Sequence, residues 1–115
     1  MAVFDPNVLA EVVGDDEDFV AEVLGEFLAT APEMMEDIRQ AMDDGPGALV
    51  RCAHALKGAC RSIGASALGQ VCAALEAEAR AGRLPPDRDE ALDELTQAYE
   101  TLVGVLRGRL AKAAA

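Results

Sequence analysis

Apolar residues recur at three- and four-residue spacing through four long stretches of this chain, and no stretch alternates cleanly enough to read as a strand. The first runs through Phe19, Val20, Val23, Leu24, Phe27, Leu28 and Ala31, then resumes beyond Pro32 at Met34, Met35, Ile38, Ala41 and Met42. The second is centred on Leu49, Cys52, Leu56, Ala59, Cys60 and Ile63. The third is Leu68, Val71, Cys72, Leu75 and Ala79, and the fourth Ala91, Leu92, Leu95, Ala98, Tyr99, Leu102, Val105 and Leu106. Alanine and leucine dominate, and aromatic and β-branched residues are scarce, which favours helix further.

The punctuation agrees with the periodicity. Asp5-Pro6 reads as an N-cap and first turn of a short helix through Val8, Leu9, Val12 and Val13 that stops at Gly14. Asp15 to Asp18 place four carboxylates at the next helix N-terminus, where the dipole favours them. Pro32 marks either a bend in one continuous helix, the favoured reading, or a junction of two helices. Asp43-Asp44-Gly45 ends that helix and Pro46 starts the next, which runs to Gly64. Ser66 reads as a cap, Gly82 as a stop, Leu84-Pro85-Pro86 as a turn and Asp87 as the last cap, and the Ala111–Ala115 tail is expected to fray. The pattern predicts an all-α fold: an antiparallel up-and-down four-helix bundle, its short N-terminal helix covering one end. At 115 residues it is expected to form one domain, 1–115.

No apolar run approaches the roughly 20 residues of a membrane span, and the first residues carry no basic leader. The expectation is a cytoplasmic protein, and three cysteines, an odd number, fit a reducing compartment. The net charge of −11 argues against nucleic acid and anionic membranes as partners. Its distribution is uneven. Residues 51–83 carry Arg51, Lys57, Arg61, Arg80 and Arg83 against Glu76 and Glu78, a net +3, leaving −14 to the rest.

That basic window surrounds His54, the chain's one histidine. On a helical wheel the second apolar stripe lies opposite His54, while Lys57, Gly58 and Arg61 fall within about 60° of it. The stripe must face a core, so the imidazole faces solvent. Helical side chains lean toward the N-terminus, so Gly58 clears the space over the ring, at about 1 kcal/mol of helix propensity relative to alanine. An exposed imidazole is largely neutral and nucleophilic at pH 7 and needs no general base, which suits a face carrying no carboxylate. Open, and flanked by cations, it is suited to phosphorylation. Gly45-Pro46-Gly47 lacks the spacing and the Lys-Ser/Thr ending of a nucleotide-binding loop, so the chain is not expected to be a kinase or an enzyme in its own right. Cys52, Cys60 and Cys72 lie on core faces with no zinc spacing, and Met34, Met35 and Met42 read as core filling. Val50, about 40° from His54, is either an incidental surface valine or part of an apolar docking rim.

The segment His54-Ala55-Leu56-Lys57-Gly58-Ala59-Cys60-Arg61-Ser62-Ile63-Gly64-Ala65 resembles the signature of histidine-containing phosphotransfer (HPt) domains. Leu68, Cys72, Leu75 and Glu76 are similar to the continuation of that signature, and Phe19, Phe27, Leu28 and Pro32 to its second helix. Ser62 departs from the asparagine of many members. The resemblance implies a four-helix bundle and a phosphoryl group carried on His54, taken from a receiver-domain aspartate and passed to another receiver in a multistep phosphorelay. It implies Lys57 beside the phosphoryl oxygens and Gly58 permitting close approach of the partner. Val50, Arg51, Arg61 and Ala65 would line the docking face. Glu76 and Arg80 either reach the histidine's surroundings or form a plain i, i+4 surface pair. The implied partners are response regulator receiver domains and a hybrid histidine kinase, met by a monomer. Mg²⁺ would be held by the receiver, and this chain itself would hold no metal or other cofactor. A non-phosphorylated helical adaptor binding a receiver or kinase domain is the alternative, although an adaptor has no need of Gly58 inside a helix. A metal- or haem-binding bundle fits poorly with a single outward histidine.

Overall fold

The computed structural model describes residues 2–114. The described chain is all-helical: α1 (Pro6–Val13), α2 (Glu17–Asp44), α3 (Pro46–Ile63), α4 (Ser66–Arg80) and α5 (Arg88–Ala114). Three of the five helices start at an aspartate cap. Asp5 Oδ1 accepts from the Asn7 N–H, Asp16 Oδ1 from those of Asp18 and Phe19, and Asp87 Oδ1 from that of Glu90, satisfying first-turn donors. Pro32 lies inside a continuous α2, where it deprives the Leu28 carbonyl of its helical donor.

At 28 residues α2 is about 42 Å long. The molecule measures 45 × 23 × 22 Å, so its long axis is one helix length. α2 packs on α3, α3 on α4, α4 on α5 and α5 on α2, closing a ring, while α1 lies against α3 and α2. The α3–α4 pairing is the most extensive. One apolar cluster fills the ring, including Leu24, Ile38, Leu49, Leu56, Leu68, Cys72, Leu95 and Leu102.

The connections fix how α3 sits. Gly45, at φ +125°, closes α2 through its N–H to the Ala41 carbonyl and opens α3 by accepting from the Leu49 N–H. Gly64, at φ +82°, ends α3, and its carbonyl accepts the Asp5 N–H at 2.8 Å. A Cβ at 64 would overlap the Asp5 carbonyl oxygen. The N-terminal segment is thereby stitched to the α3–α4 corner, aided by the Ala67 N–H bonding to the Ala2 carbonyl.

Several expectations need correction. Ser66 is not a cap: Ala65 occupies the cap position, with no side-chain hydrogen bond, and Ser66 begins α4. Residues 111–114 remain helical rather than frayed; Ala115 lies outside the described residues. Val12, Phe19 and Val105 are exposed, although the periodicity placed them in the core. For α5 the reason is geometric. Among the helices it packs only on α2 and α4, burying the narrow stripe Leu95, Leu102 and Leu106, and Val105 lies about 80° from the centre of that stripe.

Gly64→Ala is expected to destabilise the protein by about 2 kcal/mol or more, since the left-handed backbone and the Asp5 overlap both oppose a side chain. Urea unfolding of the variant beside the parent measures it.

Candidate functional site

The buried residues of α3 are Leu49, Ala53, Leu56, Cys60 and Ile63, with Cys52 and Ala59 only half-buried. Compared with the stripe read from sequence, the buried face is turned by about 30° toward Ala53 and Cys60. This turn follows the tight seam with α4, where the position of a Cβ on Gly69 would lie 3.4 Å from the Cys60 Cβ. It draws Lys57 down to 15% side-chain exposure and leaves His54 at 61% and Gly58 open, with nothing within 4 Å of an added Cβ.

The centre of the site is a carboxylate that the sequence reading left off this face. Glu76 on α4 is 5% exposed at its side chain. Its Oε2 accepts from His54 Nδ1 at 3.0 Å and from Arg80 Nε and a terminal guanidinium nitrogen at 3.0 and 2.7 Å. Its Oε1 lies 2.7 Å from Lys57 Nζ. Glu76 and Arg80 thus lie in the histidine's surroundings, and the imidazole does have a carboxylate beside it. The available signal was positional. Glu76 falls within about 60° of the Leu68–Cys72–Leu75–Ala79 stripe, so it lies at the core margin, where an ionised group requires partners.

Lys57, opposed by burial and supported by Arg80 and His54, holds the Glu76 carboxyl down to about 2. The carboxylate is therefore ionised at neutral pH and acts only as an acceptor. The proton of the shared hydrogen bond then belongs to Nδ1, so the neutral ring is the Nδ1–H tautomer with its free lone pair on Nε2. An imidazole with Nε2 unprotonated on an exposed side chain is a nucleophile. Two cations around one carboxylate leave a local charge of +1, which favours an incoming anion.

The remaining predicted positions divide. Arg51, Arg61 and Arg80 are exposed. Val50 is half-buried and packs against the core rather than standing as a free rim residue. Ala65 is 1% exposed at the α3–α4 corner, its N–H bonded to the Cys60 carbonyl, and cannot meet a partner. Cys60 and Cys72 are buried free thiols; hydrogen bonding to Cys72 and then burial push the Cys60 thiol up, away from thiolate chemistry. Among the described residues no three ligating side chains are grouped to hold a metal ion, and no helix is long and apolar enough to cross a membrane.

The sequence matches the family model for the Hpt domain over residues 22–105, a span containing His54, Lys57, Gly58, Glu76 and Arg80. No curated protein matches the chain.

Removing the carboxylate strands a largely buried lysine. Glu76→Ala is expected to cost about 3 kcal/mol at neutral pH. Because the carboxyl is depressed on folding, its contribution is present above about pH 4.5 and is lost as pH falls toward about 2. The stability difference between parent and Glu76→Gln should therefore shrink across that interval, as chemical denaturation at a series of pH values will show. At neutral pH, ¹⁵N spectra of the imidazole should report the Nδ1–H tautomer in the parent and a mixture in Glu76→Ala.

Proposed function

Because the chain belongs to the Hpt domain family, whose members carry phosphoryl groups in two-component phosphorelays, we propose that His54 Nε2 is the atom that carries the phosphoryl group here. The observation supporting this most directly is the Glu76 hydrogen bond to Nδ1, which leaves Nε2 unprotonated on an exposed ring. In this reading residues 1–115 act as one unit, an antiparallel up-and-down four-helix bundle built from α2 to α5. The single-residue connection at Gly45 and the ring of helix contacts support that arrangement.

Phosphoryl transfer requires in-line positioning and charge stabilisation more than covalent help from the carrier. Glu76 orients the ring. Lys57 and Arg80 offset the negative charge that arrives, and Gly58 leaves room above the helix for the partner's surface. Arg51 and Arg61, one turn before and two turns after His54, extend the positive face along α3. The family as a whole interacts with receiver domains and kinases. The partners proposed for this chain are the receiver domain of a response regulator and that of a hybrid kinase, met by a monomer in the cytoplasm. Each receiver supplies the aspartate and the Mg²⁺. Glu76 lies nearly enclosed among Lys57, Arg80 and His54, and its place in this reading is to orient the ring.

Incubation with a phosphorylated receiver domain should label the protein with acid-labile phosphate. His54→Gln should fold as the parent does, since the ring is exposed, and take no label. Label on that variant removes the assignment, and a parent that binds the receiver without label favours the adaptor reading.

Gly58→Gln is expected to raise stability by up to about 1 kcal/mol, because the added side chain replaces a helix-interior glycine and meets open space. The same variant should transfer phosphate several-fold more slowly. A destabilised variant with normal transfer would show that Gly58 serves packing and not access.

A further inference from the structure

Resting on the carrier reading above, we propose that Glu76 holds the proton on His54 Nδ1 through the whole transfer cycle, so that the phosphoryl group departs from an imidazolium ring and no proton moves in either direction.

The geometry supplies each part. Oε2 is 3.0 Å from Nδ1 and accepts two further hydrogen bonds from Arg80, while Oε1 is paired with Lys57. The carboxylate is nearly enclosed and is carried by the middle of a helix, so water has little access to compete for the Nδ1 proton. α3 contributes His54 and Lys57 to this cluster, and α4 contributes Glu76 and Arg80. Among the described residues, α1, α2 and α5, the other helices packed on α3 or α4, bring no charged side chain to hydrogen-bond or ion-pair distance of His54 or Glu76. Lys57 and Arg80 oppose a second positive charge on the ring. The phosphoryl group bonded to Nε2 carries compensating negative charge, closer to the ring than either cation.

The chemistry then balances without an external acid or base. In the loading step the Nε2 lone pair attacks phosphorus, the bond from phosphorus to the aspartyl oxygen breaks, and that oxygen leaves as carboxylate. The product has a proton on Nδ1 and phosphorus on Nε2, so the ring is cationic. In the unloading step an aspartate oxygen attacks phosphorus, the P–Nε2 bond breaks, and its electron pair returns to Nε2. The leaving group is neutral imidazole, still protonated on Nδ1. Had Nδ1 lost its proton, the leaving group would be imidazolate, a far stronger base and a poorer one to expel. An amide in place of Glu76 would not enforce this, because it can turn and donate an N–H to a deprotonated Nδ1. Glu76 is thus a positioning residue, acting on the reacting atom through the ring.

The test is to phosphorylate the ¹⁵N-histidine-labelled protein with phosphoramidate and follow Nδ1 by NMR from about pH 6 to 10, beside a phosphohistidine peptide. Nδ1 of the parent should keep its proton to higher pH than the peptide does, and Glu76→Gln should return the midpoint to the peptide's value. Transfer from the phosphorylated protein to a receiver domain should fall by about tenfold per pH unit above that midpoint in Glu76→Gln, while the parent's rate stays level over the same interval. A parent midpoint equal to or below the peptide's overturns the inference. That result stands on the unmodified protein, whatever the variant does to folding. Absence of phosphohistidine at position 54 overturns the carrier reading and this inference with it, whereas phosphohistidine with a peptide-like midpoint overturns the inference alone.

Discussion

The site depends on one ionised carboxylate held at the seam between two helices. Removing Glu76 from water carries a desolvation cost of several kcal/mol, and only a well-formed set of partners offsets it. Lys57, Arg80 and His54 are that set, and they come from both sides of the α3–α4 seam. The cluster therefore does more than decorate a surface. It fixes the register of α3 against α4, because a slip of either helix would separate the charges. The buried Leu56, Cys60, Leu68 and Cys72 contacts set the same register from below, and the small residue Gly69 allows the two helices to approach closely enough for both layers to form.

This arrangement divides the labour between the faces of α3. The inward face supplies apolar burial, on the order of 25 cal/mol per Å² of surface removed from water. The outward face sets the small residues Ala55 and Gly58 on the C-terminal side of His54, with Arg51 and Arg61 further along the helix. An imidazole with such small neighbours is accessible, and it would also be free to rotate. The Glu76 hydrogen bond limits that freedom by engaging Nδ1, while the side chain stays 61% exposed. Holding a reacting group in one geometry before the partner arrives is a substantial part of what a transfer site can contribute.

Electrostatics act at a second, longer scale. The chain carries −11 overall, yet the surface around His54 is positive through Arg51, Lys57, Arg61 and Arg80. A partner with an acidic site is attracted to this face and repelled by the acidic surface of α2. Such contrast favours one orientation of encounter more than it adds affinity. Salt within the physiological range screens charges beyond about 8 Å, so the steering weakens with ionic strength, while the nearly enclosed Glu76–Lys57 pair is affected less.

The periodic apolar spacing, the Asp and Pro starts and the glycine stops determined five helices and most of their limits, because these signals act within one or two turns of backbone. The exposure of His54 was also legible, since a single stripe opposite it had to face a core. Local signals did not determine which positions near the stripe margins are buried. Val12, Phe19 and Val105 fit the helical period and lie in solvent, while Val50 is half-buried and Ala65 buried, because burial is set by which neighbour covers each face. The sharpest case is Glu76. Twenty-two residues separate it from His54, and nothing in either helix alone says that a carboxylate and an imidazole will meet. Only the packing of α3 on α4, turned by about 30° from the wheel that α3 by itself suggested, brought them within hydrogen-bonding distance and so chose the nitrogen of His54 that remains free.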